Sequence, residues 1–420
     1  MNMCKRCGLP EGLIMWETGF SLPTTLKVEL DDHGICNLCN EYDRNPYNPE
    51  AAHPTFVDLI NQTKGTQPYD AIVGVSGGKD GCYVAYDLVR KYDLKILISS
   101  NQAYQPQEAT IKCDEFAEKL QKKYPDNVTY LPYRKEDASP STRLMFKKSF
   151  LTNGLPCAWC GIEALLAPVC YPHINQCAPL FINGVEPKQM YKTINTTTDN
   201  PWGTIINRYQ FEKSEDFQQV MLDKLSKEIA VLFNNDQEEM ERVLSLKKVF
   251  EVNNPESPYY LKKSLETIKK CVTDQSKKEY LLKAVQDVTF ENNKHFTVFY
   301  FAFHNYDENM IRETLKNDLN YTAPSTHADC CMHGVVDYIS VQKDLLPLNH
   351  PLFERAALAR MGEISKEEVE SMIVTMNDRI TYPSEKDLQN FCEFLDITEK
   401  EFNATIGNLK ESFRKYLPKL

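Results

Sequence analysis

The chain has no long hydrophobic run, no excess of positive charge, no internal repeat and no low-complexity tract. No apolar stretch approaches the roughly 18–20 residues that a membrane-crossing helix needs, so no membrane insertion is expected. The opening residues, Met1-Asn-Met-Cys-Lys-Arg-Cys7, lack the apolar core of an export signal, which points to a cytoplasmic protein. The net charge of −11 argues against a broad nucleic-acid-binding face, so nucleic acid is not an expected partner.

What is present is ordinary in bulk and unusual in detail. The 420 residues leave room for two or three domains, and 42% hydrophobic with 25% charged content is that of a soluble globular protein. Fourteen cysteines without an export signal suggest thiols and metal ligands in a reducing compartment rather than disulfides.

Four of those cysteines form two knuckles, Cys4-x-x-Cys7 and Cys36-x-x-Cys39. Tetrahedral Zn²⁺ takes four thiolates, and two such turns supply them, so residues 1–45 read as a zinc ribbon. Four thiolates leave no open position for water, so the metal is assigned a structural role. A third pair, Cys157-Ala-Trp-Cys160, has several readings: two ligands of a soft metal or cluster, a redox dithiol, or a buried pair. A [4Fe–4S] cluster would need another cysteine, for which Cys330 is the preferred candidate, with Cys331, Cys170 and Cys177 as alternatives. The single cysteines at 82, 113, 271 and 392 sit in helical patterns and read as core residues.

The most informative run is Ala71-Ile-Val-Gly-Val-Ser-Gly-Gly-Lys-Asp-Gly81. An apolar strand (71–75) meets a Ser76-Gly77-Gly78 turn, and a helix is expected from Cys82 to Arg90. Glycines let backbone N–H groups approach a phosphate, and the helix N-terminus adds its positive dipole end. Lys79 adds a cation. The spacing is neither G-x-x-x-x-G-K-[ST] nor G-x-G-x-x-G.

Around this run strands and helices alternate, which predicts an α/β fold with a mainly parallel sheet. Strands are expected at 95–100, 128–133 and 180–184, and helices at 107–123 and 140–151. Residues 213–294 carry a helical spacing of Phe217, Met221, Leu225, Ile229 and Leu232 and read as a helical insertion into a domain that begins at 46 and ends at 212. A β-rich run at 296–303 returns the chain to that domain over 295–350. The stretch 351–420 is helical, with capping boxes at Ser365–Glu368 and Thr398–Glu401.

The S-G-G-K-D pattern resembles the PP-loop of the N-type ATP pyrophosphatases. The knuckles, this loop, Leu155-Pro-Cys-x-x-Cys160, Leu180-Phe-Ile-Asn-Gly184, Thr326-His-Ala-Asp-Cys330 and Arg360-Met-Gly-Glu-Ile-Ser-Lys-Glu-Glu368 follow one another in an order that resembles the N-acetyl sugar amidotransferase family. The resemblance implies that ATP adenylates an oxygen of an N-acetylated sugar or sugar acid, and that ammonia from a separate glutaminase then displaces AMP. Ser76, Gly77, Gly78 and Gly81 would cradle pyrophosphate, Lys79 would neutralise it, and Asp80 would help hold Mg²⁺. Val73, Ser99, Asn101 and Gly184 would line the nucleotide site; Asn183, Glu186, Lys188 and Tyr191 would face the acceptor. Two departures stand out. Gly81 replaces the family's Ser or Thr and so lacks a phosphate-binding hydroxyl, and Gly184-Val-Glu186 replaces Gly-Glu-Asn. A sulfur-transfer enzyme using the same adenylation, with a cluster at Cys157, Cys160 and Cys330, is one alternative. A nucleotide-binding scaffold without turnover is another.

Overall fold

A computed structural model of the chain describes residues 2–13, 27–44, 46–102, 107–134, 146–148, 150–151, 178–191, 269, 272, 274–286, 296–324, 335, 338–339, 350–379 and 382–413. In chain order the first elements are α1 (Asn37–Arg44), α2 (Pro49–Thr63), β1 (Ala71–Gly74), α3 (Lys79–Tyr92), β2 (Ile96–Asn101), α4 (Gln107–Lys123) and β3 (Val128–Tyr133). Then come β4 (Leu180–Asn183), α5 (Pro187–Tyr191), α6 (Gln275–Gln286), β5 (Phe296–Phe299) and a 3₁₀ turn at Tyr300–Ala302. The helices α7 (Glu308–Leu319), α8 (His350–Met361), α9 (Lys366–Arg379), α10 (Glu385–Leu395) and α11 (Glu399–Phe413) complete the order.

The five strands form one sheet in the order β3-β2-β1-β4-β5, and every pairing is parallel. Parallel neighbours need crossovers, and α3 and α4 supply them between β1, β2 and β3. Strand side chains alternate between faces, and both faces are covered. Val73 pairs with Ile98 and Ile182, and all three enter the larger core with Phe56 of α2, Leu88 of α3, Phe116 of α4 and Leu315 of α7. Ile72 and Leu97 point the other way, into a smaller core with Tyr69, Leu131 and Val272.

The expected bounds of α4 and β3 match. Helix α3 starts at Lys79 rather than Cys82, because Gly78 is already extended at the N-cap (φ −70°, ψ 160°) and the next three residues complete the first turn. The β-rich run expected at 296–303 is strand only as far as Phe299. There the chain turns inward: the Tyr300 hydroxyl donates to buried Asp87 of α3, and its ring stacks on His304 at 3.8 Å. Both capping boxes are formed reciprocally. Glu368 N–H donates to Ser365 Oγ at 3.3 Å and Ser365 N–H to the Glu368 carboxylate at 3.1 Å, and Thr398 and Glu401 repeat the exchange. Of the expected insertion, α6 is the main part within the described residues. Among the described residues, no helix is long and apolar enough to cross a membrane.

The knuckle segment packs on the C-terminal helices. Leu9, Leu38 and the four knuckle cysteines share a core with Leu352, Phe353 and Ala356 of α8 and Val369 of α9. The approach is close enough that a Cβ on Gly8 would lie 2.8 Å from the Lys366 carbonyl oxygen. Helix α8 also reaches the large sheet core through Ala357, so it is wedged between the two.

Equally tight backbone contacts lie where α3 meets the sheet. A Cβ on Gly81 would sit 2.8 Å from the Gly74 carbonyl oxygen, and one on Gly184 would sit 2.8 Å from both the Asp80 carbonyl carbon and the Gly81 nitrogen. Neither neighbour is a flexible side chain that could move aside. Gly81→Ser is therefore expected to destabilise the fold by about 1–3 kcal/mol, the ordinary cost of overpacking. Urea unfolding measures this, and an unchanged midpoint would contradict the contact.

Candidate functional site

In an open parallel sheet, ligands bind beyond the carboxyl ends of the strands where the strand order reverses. Here the chain runs outward from β1 through β2 to β3 and then returns to the other side of β1 as β4. The reversal lies between β1 and β4, and the glycine turn and the Gly184–Glu186 loop stand on its two sides.

The turn is held from behind. Gly77 has φ +85°, and a Cβ there would press on the Ala109 carbonyl oxygen at 3.1 Å and the Cys113 nitrogen at 3.2 Å. The Val75 carbonyl accepts from Cys113 Sγ at 3.3 Å, and the Gly77 carbonyl accepts from the hydroxyl of buried Tyr321. In a trans peptide the N–H opposes the C=O. With these carbonyls turned into the protein, the amides of Ser76 and Gly78 face the opposite way. No side chain caps the N-terminus of α3, so its first N–H groups and dipole are open to an anion.

The charged groups converge on the same edge. Lys79 is 8% exposed, and its Nζ lies 2.9 Å from Asp80 Oδ2 and 4.0 Å from Glu308 Oε2. The Tyr306 ring lies beneath it, 5.9 Å from the ring centre. The buried Asp80 Oδ1 has no hydrogen-bond partner. Burial pushes the Asp80 carboxyl above its ordinary value, with Lys79 opposing and the charge of Glu186 adding to the rise. Glu186 accepts from the Tyr306 hydroxyl at 2.9 Å and pairs with Lys188 at 3.0 Å. A buried carboxylate oxygen without a donor beside a second carboxylate suits a hard cation such as Mg²⁺. The amide-lined turn and Lys79 suit a phosphate.

Other expected site residues fall into place unequally. Ser99 is half-buried and pairs with Gly74, Asn101 ends β2, and Asn183 ends β4 with its Oδ1 beside Gly74. Val73 differs from expectation: it is fully buried between β2 and β4 and faces the core. Tyr191 is also a packing residue, with its ring edge-on to Tyr42 at 5.4 Å and to Tyr47 at 6.0 Å. At Gly81 a side chain would point at the Gly74 carbonyl oxygen, 2.8 Å from its Cβ. Cys157, Cys160 and Cys330 lie outside the described residues.

Sequence reading missed Tyr306, Glu308 and Tyr321. The first two follow β5 and its 3₁₀ turn much as Glu186 follows β4. The rule that sites form past parallel strand ends would have found them had the strand been ended at Phe299.

The four knuckle cysteines are fully buried, and their sulfurs all lie within 4.8 Å of one another. Cys4 and Cys39 sulfurs are 3.8 Å apart and Cys7 and Cys36 sulfurs 3.6 Å apart. A tetrahedron with Zn–S bonds of about 2.3 Å has edges of roughly 3.8 Å, so the set fits a metal such as zinc. It does not fit disulfides, whose sulfurs are about 2.05 Å apart. Hydrogen bonds from Cys36, Cys39 and Cys7 pull the Cys4 thiol far down, and those from Cys36, Cys4 and Cys7 push the Cys39 thiol up. Four thiols this close ionise together only around a cation.

Two outcomes follow. Because burial raises the Asp80 carboxyl, protonation favours the folded state: stability is full below the ordinary carboxylate range and falls as pH rises through the raised value. Asp80→Asn, which mimics the protonated form, is expected to raise the melting temperature of the ligand-free protein at neutral pH. The advantage should vanish below about pH 4, where both forms are neutral. A variant less stable than wild type at neutral pH would contradict this. For the cysteines, elemental analysis is expected to find close to one zinc per chain, lost in Cys36→Ser; zinc retained in full by that variant would remove the ligand assignment. In comparisons with known proteins, no family model and no curated protein sequence matched the chain.

Proposed function

We propose that the protein is an ATP-dependent, AMP- and pyrophosphate-forming amidotransferase of the PP-loop type, with a structural zinc in its N-terminal knuckles. The observation that carries the reading is the convergence of an amide-lined turn, an uncapped helix N-terminus, Lys79 and the orphaned oxygen of Asp80 at the reversal of a parallel sheet. That set matches the needs of a triphosphate with its metal: hydrogen-bond donors, one cation and one anionic oxygen ligand. The acceptor is an N-acetylated sugar or sugar acid, as the family resemblance implies.

In the proposed reaction the acceptor oxygen attacks the α-phosphorus of ATP, and the bond to the β-phosphate oxygen breaks to release pyrophosphate. Ammonia then adds to the adenylated carbon, and AMP leaves with the oxygen. Mg²⁺, when bound, neutralises phosphate charge. The turn amides bind and orient the β- and γ-phosphates, and Lys79 balances the charge that grows on the departing pyrophosphate. To do so, Lys79 turns from Asp80 toward phosphate, freeing Asp80 for the cation. Tyr306 holds Glu186 beside that position, and Glu186 and Lys188 face the acceptor side.

Lys79→Ala and Asp80→Ala are each expected to cut pyrophosphate release, measured with ATP and acceptor, by about a hundredfold or more while leaving the circular dichroism spectrum unchanged. Wild-type turnover in either variant would remove the reading.

A further inference from the structure

Two cations are buried among the described residues, Lys79 and Arg360. Lys79 has Asp80. Arg360, at the end of α8, is 2% exposed, and its Nε and Nη1 have no hydrogen-bond partner. Its Nη2 donates to the Tyr191 carbonyl at 2.8 Å, a neutral acceptor. No carboxylate among the described residues pairs with it. Burying a guanidinium with unmet donors is costly, so a negative charge belongs nearby.

A metal-loaded knuckle cluster would supply such a charge. A divalent ion with four thiolates is doubly negative. The cluster packs against the same helix through Leu352, Phe353 and Ala356, and Arg6, between Cys4 and Cys7, donates to the Arg360 carbonyl at 3.0 Å. The guanidinium also lies toward the knuckles: the ring of Tyr191, whose carbonyl holds it, meets Tyr42, three residues after Cys39, at 5.4 Å. Of the other cations in the segment, Arg6 pairs with Asp43, Arg44 pairs with Glu41, and the Lys5 ammonium donates to the His33 carbonyl.

We propose that Arg360 is the counter-ion of the Cys4/Cys7/Cys36/Cys39 metal centre, fixed in place by its bond to the Tyr191 carbonyl. It binds no metal itself; its charge offsets that of the tetrathiolate and lowers the tendency of the thiolates to leave the ion. Since Tyr191 ends the short helix that follows Glu186, the same guanidinium ties the metal centre to the loop at the sheet edge. The inference rests on metal occupancy of the cluster and is independent of the ATP reading.

The test is transfer of zinc from the full-length, zinc-loaded protein to 4-(2-pyridylazo)resorcinol. Arg360→Met is expected to release zinc about 10- to 100-fold faster, as loss of a partner outside the ligand shell commonly does. Arg360→Gln, which keeps N–H donors without charge, should also be fast, and Arg360→Lys should stay close to wild type. In the cobalt-loaded protein, the thiolate-to-metal charge-transfer band should move to lower energy in the Met and Gln variants and not in Lys, a shift that loosened packing alone would not give. Should the Met variant fail to fold, the Gln and Lys variants carry the comparison. Wild-type release from Arg360→Gln, or equal release from Gln and Lys, overturns the proposal. A wild-type protein that takes up no zinc overturns the metal assignment with it.

Discussion

The backbone contact between Gly184 and the Asp80–Gly81 peptide is the constraint on which the sheet edge depends. Side chains at 81 or 184 would push α3 off the strand ends, because the neighbours are main-chain atoms 2.8 Å away. With glycine at both positions, the first turn of α3 lies directly on the ends of β1 and β4. That seats Lys79 and Asp80 over the reversal of the sheet and within reach of residues that follow β4 and β5. The phosphate-suited turn is thus part of the packing of the sheet, and its carbonyls are tied down by Cys113 and Tyr321 from elements that arrive 38 and 244 residues later.

Such a site is built against stability. Lys79, Asp80 and Glu186 are buried or nearly so, with two carboxylates close enough that one raises the other. A sequence selected for stability alone would replace such a group by well-packed apolar residues. Keeping the charges suits a ligand that brings phosphate to Lys79 and a cation to Asp80. The aromatic base makes the arrangement tolerable: Tyr306 gives its hydroxyl to Glu186 and its ring face to Lys79, so one side chain stabilises charges of both signs.

Much of this was legible in the sequence because it is local. Glycine at 77 and 78, the apolar run before them and the capping boxes at Ser365 and Thr398 act over a few residues, and the structure reproduces them. The knuckle cysteines were legible because metal coordination demands a spacing. What was not legible depends on chain direction in space. Val73 and Tyr191 sit beside the site in sequence but face packed interiors, since a strand sends alternate residues to opposite faces and a ring follows its neighbours. Gly81 read as a lost hydroxyl because the direction of its missing Cβ is invisible without α3 docked on Gly74. Tyr306 and Glu308 were hidden by a strand read four residues too long.

The two ends of the chain meet on α8. Its Leu352, Phe353 and Ala356 lie in the cysteine core while Ala357 lies in the sheet core, so the helix transmits position from one to the other. Tyr42 of α1 reaches across to the Tyr191 ring, and Arg360 reaches the carbonyl of the same residue. Tyr191 is therefore gripped twice from the knuckle side, five residues after Glu186. A metal held by the four cysteines would do more than knit a terminal ribbon: it would stiffen the wall against which the loop after β4 rests. Two tyrosines and one buried arginine thus span the gap between the knuckles and the sheet edge.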